Sequence, residues 1–258
     1  MTTERKILIV VPARMGSTRV KLKNIREIYQ GLNLVDLAIN CSLNYTTCIS
    51  TDKPSMFDYL IGKNIEIIAR PADISDANSN VSYAVTHALI AMESKFNCKF
   101  DTIVTLMPAI ASRSQAILED MIKTYLSSKF LLSSSMSVAE THPWLWKVTK
   151  DNIHNQKYTY ASNSWHPFPQ KNSQDLPNYF VEHASVIINS RDNVLKGLKW
   201  NLPLQLYTLP AWSVIFDIDT EYDLSVAKAF YPASIPLLDA WRGKTYNIDE
   251  LRGIEVDQ

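Results

Sequence analysis

The sequence predicts an α/β fold, a mostly parallel sheet with helices on both faces and a β-hairpin excursion late in the chain. Two observations predict the sheet: strand-sized β-branched runs alternate with helix-period segments through the first half, and a strand followed by a helix resumes near the end. A third predicts the excursion, a stretch rich in aromatic residues, prolines and asparagines that breaks this alternation after about residue 138.

Residues 6–12 form a continuous apolar run of strand length, followed by a polar loop over 14–24. Leu34, Leu37, Ala38 and Cys41 recur at helical spacing. A short strand follows at 47–51, then a helix opened by Pro54 and running through Met56, Tyr59 and Leu60, then a strand at 65–69. Val81, Ala84, Val85, Ala88, Leu89 and Met92 share one face of an amphipathic helix ending near Phe96. Residues 102–107 read as a buried strand and 116–125 as a helix. Between Glu140 and Tyr179, alternation survives only at 144–148 and 158–161, among Trp144, Trp146, Tyr158, Tyr160, Trp165 and Phe168. Exposed aromatics in such an arm suit a protein partner, and a satellite core folded back on the same subunit is the alternative. Strands at 183–189 and 213–217, a short helix at 194–200 and a helix at 220–230 complete the pattern. The expected division is an α/β unit over 1–138 and 181–231, an arm over 139–180, and a C-terminal extension over 232–258 without clear period.

Composition removes several classes of function. The chain holds 6 glycines in 258 residues, where average usage is about 7%, and neither the Walker A string nor the dinucleotide-binding G-x-G-x-x-G occurs. With 46% apolar and 10% aromatic residues a packed core is expected, and disorder is not. Lys+Arg and Asp+Glu number 26 each, so no bulk field draws the chain to nucleic acid or an anionic membrane. No segment approaches the ~20 apolar residues of a membrane span, and Cys41, Cys48 and Cys98 lack metal-binding spacing. A cytoplasmic protein with reduced thiols is the expectation.

Two segments could carry chemistry. The loop after the first strand gathers Arg14, Arg19, Lys21 and Lys23 beside Gly16 and Ser17. Such a loop can hold a polyphosphate through charge and backbone N–H groups, or be a solvated basic loop. Farther on, Asp217 and Asp219 stand two residues apart, able to project to one side and hold Mg²⁺. Helix capping by Thr220 and Asp223 is the competing explanation, and it leaves Asp217 unexplained.

The segments Ile9-Val-Val-Pro-Ala-Arg-Met-Gly-Ser17 with Lys23-Asn24, Ile49-Ser-Thr-Asp52, Arg70-Pro-Ala-Asp73 with Ser75-Asp76, His87-Ala-Leu89 and Phe216-Asp-Ile-Asp-Thr-Glu-Tyr-Asp-Leu224 together resemble the acylneuraminate cytidylyltransferase family, in family order across residues 6–231. The resemblance implies a Rossmann-like fold, dimerisation through a protruding arm, and Mg²⁺-dependent transfer of CMP from CTP to the anomeric hydroxyl of a 2-keto-3-deoxy acid sugar. By that resemblance Arg14, Gly16, Ser17, Arg19, Lys23 and Asn24 would meet the CTP, Arg70 and Ser79 would help enclose it, and Asp217 and Asp219 would hold the metal. Arg14, Lys23, Asp217 and Asp219 would carry the catalysis.

Four departures stand out. Thr18 and Arg19 replace a lysine directly after Ser17, and Leu106-Met-Pro-Ala-Ile-Ala-Ser-Arg113 replaces L-Q-P-T-S-P-L-R. Val181-Glu-His-Ala-Ser185 replaces R-P-N-G-A, and about twenty-five residues follow the usual family end. The acceptor side is therefore expected to be less polar, formed by Met107, Ala109 and Ile110, with Arg113, Glu182, His183 and the arm's His142 as further acceptor contacts. The alternatives are another acceptor, such as an octulosonate, an amino sugar acid or a phosphonate, or a nucleotide-binding subunit without turnover.

Overall fold

A computed structural model describes residues 5–76, 78–128, 132–141 and 179–248, with the backbone of 146–149 and 157–160. The chain opens with β1 (Ile7–Pro12), whose alternate side chains enter two different cores. A short hairpin of β2 (Glu27–Tyr29) and β3 (Leu32–Asn33) leads into α1 (Leu34–Asn40). Asn33 starts that helix with a reciprocal cap: its side chain accepts from Val35 and Asp36 N–H, and Asp36 accepts from the Asn33 N–H. Then come β4 (Thr46–Thr51), β5 (Ile65–Ala69), α2 (Val81–Phe96), β6 (Thr102–Leu106) and α3 (Gln115–Leu126). The second half contributes β7 (Ser134–Thr141), β8 (Trp146–Thr149), β9 (Lys157–Tyr160), β10 (Tyr179–Ser190), α4 (Arg191–Leu195), β11 (Leu204–Leu209), α5 (Glu221–Ala240) and β12 (Thr245–Ile248).

One eight-stranded sheet has the order β12-β11-β7-β10-β6-β1-β4-β5. β1 pairs in parallel with β4 and β6, β4 with β5, and β7 with β11; β10 and β12 run antiparallel to their neighbours. Helices cover both faces, as expected. Ile9 and Val11 pack with Val35, Ala38 and Ile39 of α1 and Ile117, Leu118 and Met121 of α3. Leu8 and Val10 face the other way, onto Val85, Ala88, Leu89 and Met92 of α2. Burying each such side chain contributes about 1.5–3 kcal/mol, which makes these two layers the main support of the sheet. The chain steps outward from β1 to β4 and β5, then returns to β6 on the other flank of β1. That reversal falls at β1, and the region beyond the carboxyl ends of β1 and β6 is where α/β sheets of such an order bind ligands.

Several elements differ from expectation for identifiable reasons. Residues Pro54–Leu60 and Ala211–Phe216 are 3₁₀ segments rather than an α-helix and a strand. Pro210 introduces the second of these, and no strand forms there; only Asp217 makes an isolated bridge, to Ile110. The short helix after β10 starts at Arg191, earlier than the 194–200 expected. β7 and β11 escaped prediction. β7 is rich in serine, and its buried hydroxyls find partners: Ser134 Oγ bonds Asn189 Oδ1 at 2.5 Å, Ser135 Oγ bonds Gln205 Oε1 at 3.2 Å, and Ser137 Oγ meets Ser185 Oγ at 3.1 Å. Helix α5 runs ten residues past the expected end, through Pro232 and Pro236. Leu224, Ala227, Tyr231, Ser234 and Leu238 are buried along it, and that packing outweighs the lost N–H donors. β8 and β9 pair antiparallel, with Trp146 opposite Tyr160; most of the remainder of the expected arm lies outside the described residues.

Candidate active site

The loop after β1 is held at three points. Ala13 N–H donates to Ser50 O at 2.9 Å, Met15 N–H to Asp52 Oδ1 at 2.7 Å, and Asn24 Nδ2 to Arg14 O at 2.8 Å. Val20 is buried in a third core with Ile28, Leu34, Phe216, Ile218 and Leu224, so the loop is pinned to the start of α5. This anchoring leaves the polar members outward: Gly16, Thr18 and Arg19 are exposed and Ser17 half-buried. A Cβ built on Gly16 would meet nothing within 4 Å, so there is open space in front of that backbone.

Opposite the loop, Phe216 and Ile218 are fully buried while Asp217 and Asp219 alternate with them toward solvent. The two carboxylates therefore share a side, as expected from their spacing. The cations of the loop reach them: Arg19 Nη2 lies 2.8 Å from Asp219 Oδ1, and Lys23 Nζ lies 3.4 Å from the same oxygen while donating to Ile218 O at 2.5 Å. Asp217 has no hydrogen bond or ion pair to any side chain among the described residues. Partial desolvation first, then the charge of Asp219, raise its carboxyl pKa. By accessible surface the residue is exposed, so that desolvation is incomplete and water still reaches the carboxylate. The capping reading also holds: Thr220 and Asp223 form a capping box, and Asp223 accepts from Thr220 N–H at 2.7 Å and Asp219 N–H at 3.0 Å. Capping and an outward acid pair coexist because they use different residues.

A second wall comes from the segment between β5 and α2. Arg14 Nη1 donates to Asp76 O at 2.9 Å. Asp76 accepts from Asn78 N–H, Ser79 N–H and Ser79 Oγ, at 2.8, 2.6 and 2.9 Å. Arg70 is buried and donates to Ser50 Oγ at 3.1 Å and Ser50 O at 2.7 Å. Burial lowers its pKa to about 10, with Asp52 opposing and Arg14 reinforcing that fall, so it stays charged at neutral pH. Arg14, Arg70 and Asp52 thus sit within electrostatic reach of one another. Asp52 and Asp76, which sequence reasoning quoted without a role, hold the loop and the Arg14 side chain. The clue to Asp76 was an Asx-turn pattern, an aspartate followed by Asn78 and Ser79.

On the acceptor side the structure corrects two expectations. Arg113 is buried, and its Nη2 donates inward to Met107 O at 2.5 Å, Pro108 O at 3.4 Å and Ile110 O. It is spent on its own loop and does not face a ligand. His183 is buried too, its Nε2 lying 3.0 Å from Ser112 Oγ and 3.2 Å from Ser213 O. Desolvation lowers its pKa to about 4, against a raising bond to Ser213 and with the Arg113 charge adding to the fall, so it is neutral at physiological pH. Met107 is half-buried at the end of β6, its N–H bonded to Ser185 O at 3.2 Å. Glu182 is exposed and paired with Lys199. His142 lies outside the described residues. Ala184, where the family pattern has glycine, adopts a left-handed φ of 52° at the irregularity in β10.

Among the described residues no group of three or more His, Cys, Asp or Glu gathers as a metal site, and no helix is long and apolar enough to cross a membrane. Two carboxylates, one of them unpartnered, are nonetheless a donor set that suits Mg²⁺, which takes few protein ligands and completes its shell from phosphates and water.

Comparison with known proteins agrees with the motifs. Post-translational flagellin modification protein B of Campylobacter coli is 26% identical over 229 residues, 86% of this chain and 94% of its own. Pseudaminic acid cytidylyltransferase of Campylobacter jejuni (strain 81-176) is 24% identical over 234 residues, 88% and 96% of the two chains. Among solved structures, CMP:2-keto-3-deoxy-manno-octonic acid synthetase complexed with CTP superposes with a TM-score of 0.59 at 18% identity, covering 88% of this chain and 99% of that one. A 4-diphosphocytidyl-2C-methyl-D-erythritol synthase from Anaerococcus prevotii gives 0.56 at 10% identity, covering 88% and 99%. Likeness at these identities shows the shared fold. A family model described as cytidylyltransferase matches residues 8–225, and with that match spanning most of its length the chain belongs to the cytidylyltransferase family.

Proposed function

We propose that this protein transfers CMP from CTP to the anomeric hydroxyl of a 2-keto-3-deoxy acid sugar of the nonulosonate class, releasing pyrophosphate. One observation carries the reading: a cationic loop and an outward acid pair meet beyond the carboxyl ends of β1 and β6. Relatives named as pseudaminic acid cytidylyltransferases make pseudaminic acid the first acceptor to test.

In this reading Arg14, Arg19 and Lys23 bind and orient the triphosphate, with Gly16 and Ser17 lending backbone and hydroxyl donors. The Arg19–Asp219 pair is largely exposed, at 69% and 40% of the two side chains. Such a pair is worth under about 1 kcal/mol, so phosphates can take over Arg19 at small cost. Buried Arg70 adds positive potential behind Arg14, and Ser79 closes the nucleotide side through the Asp76 turn. Asn24 acts through the loop, since its amide is already bonded to Arg14 O. Asp217 and Asp219 would hold Mg²⁺, which would draw charge from the reacting phosphate. The remaining acceleration comes from positioning for in-line displacement at the α-phosphorus. Met107 and Ala109, half-buried with Ile110 buried beside them, offer the acceptor an apolar wall, which favours a sugar with fewer hydroxyls there. A cytoplasmic homodimer, with the 139–180 arm toward the partner, completes the proposal.

Pyrophosphate release from CTP with pseudaminic acid and Mg²⁺ should fall at least 100-fold in Asp219→Ala, which removes a carboxylate that would hold the metal, and in Arg14→Ala, which removes a cation placed on the phosphates. Full activity in both variants would falsify the assignment of the site.

A further inference from the structure

We propose that Arg113 is the positioning residue of the acid pair, a buried clamp that shapes the turn after β6 against which Asp217 is set. The proposal rests on the reading that Asp217 serves the site, and it adds how that residue is held.

The geometry is a chain of contacts. One guanidinium nitrogen of Arg113 gathers the carbonyls of Met107, Pro108 and Ile110, drawing four successive residues into an arch. The arch then binds the Asp217 segment through two hydrogen bonds: Ala111 N–H donates to Phe216 O at 3.1 Å and Ile218 N–H donates to Ala109 O at 3.0 Å, which together set Ile110 opposite Asp217 as an isolated antiparallel bridge. Phe216 and Ile218, on either side of Asp217, are thus tied directly to the residues that Arg113 arranges.

Arginine is a costly choice for mere filling. The side chain is 2% exposed, and its Nε and Nη1 meet no acceptor among the described residues. No carboxylate pairs with it there. Desolvation lowers its pKa to about 10, eased by Cys41 and Tyr231. A buried charge without a partner destabilises a fold, and an apolar residue of similar volume is often neutral or better. What an apolar residue cannot do is supply N–H donors to inward-turned carbonyls, and a buried carbonyl left unpaired costs about 1–3 kcal/mol; Met107 O has a second donor in Ile110 N–H at 3.1 Å, so the need falls on Pro108 O and Ile110 O. Lysine keeps the charge, but as a compact ammonium on a flexible stem it does not reproduce the planar fork. The neighbouring hydrogen bonds of Ser112 to His183 and to Ser213 O, both 3.0 Å, brace the far end of the arch.

Amide hydrogen exchange on the full chain tests this without any acceptor. In Arg113→Lys, exchange at Ala111 and Ile218 should quicken at least tenfold, while amides of β1 and β4 keep wild-type rates. Mn²⁺ binding by the same variant, followed by paramagnetic resonance, should weaken severalfold relative to wild type. Arg191→Lys, which disturbs the remote Arg191–Glu93 pair, should spare Ala111 and Ile218. Unchanged exchange at these two amides in Arg113→Lys would overturn the proposal. So would uniform acceleration of all core amides, or failure of both Arg113→Lys and Arg113→Met to fold, since each marks a general structural role. If wild type binds no Mn²⁺ yet the exchange result holds, the clamp stands and the metal reading fails.

Discussion

His183 shows how a single residue can sit at the functional end of a sheet and still act as structure. Its folded pKa of about 4 lies below the ordinary value of 6.5. The unfolded chain therefore binds a proton more readily, so its contribution to stability is full above pH 6.5 and is lost as pH falls toward 4. On that basis about 2 kcal/mol disappears between pH 7.5 and pH 5, since each tenfold difference in proton affinity between the two states is worth about 1.4 kcal/mol. Urea unfolding at those two pH values should show wild type losing more stability than His183→Gln, and equal losses would contradict the account. Sequence reasoning found His183 and Arg113 by comparing motifs, but position in a motif does not reveal direction. Both side chains turn inward because β10 and the turn after β6 leave polar groups beneath the surface that need partners, as Ser112 Oγ and the carbonyls of 107–110 do. The shared side of Asp217 and Asp219, by contrast, was legible from spacing, because the apolar Phe216 and Ile218 that alternate with them fixed which side was out.

At the scale of elements, the strands written in β-branched residues were legible and those written in serine were not. β1, β4, β5 and β6 are each made mostly of Ile, Val and Thr, whereas β7 hides its pairing in hydroxyls that bond across to Asn189, Gln205 and Ser185. The C-terminal extension is another element without a sequence signal. After α5 the chain folds back so that Trp241 Nε1 donates to Thr208 O at 2.8 Å, Gly243 N–H to Tyr207 Oη at 2.8 Å and Lys244 N–H to Thr208 Oγ1 at 2.8 Å. β12 then adds the outermost strand beside β11. Gly243 permits this close approach: a Cβ there would lie 2.4 Å from Tyr207 Cε1 and 2.5 Å from Thr208 O. Since one of those neighbours is backbone, Gly243→Ala should cost about 1–3 kcal/mol. It should also raise proteolytic cleavage near residues 241–248. Wild-type resistance to protease in that variant would show that the extension is not held by this contact.

For the whole molecule, scarcity of glycine removed the two commonest phosphate loops from consideration and left a loop built on charge. The fold places that loop where the order of strands reverses, between β1 and β6, and Val20 with Ile218 locks it against the acid pair. Family membership followed from motifs scattered across more than two hundred residues, because the sheet brings their loops to one end. The acceptor was less legible: where the family pattern has glutamine, threonine and serine this chain has Met107, Ala109 and Ile110, and no motif says what such side chains accept. The most direct test is mass spectrometry of reactions holding the protein, CTP, Mg²⁺ and a panel of acid sugars that includes pseudaminic and octulosonic acids. The account predicts a CMP conjugate of a nonulosonate, formed with pyrophosphate and absent in Asp219→Ala. A panel that yields no conjugate while CTP binds, or a conjugate undiminished in Asp219→Ala, would contradict it.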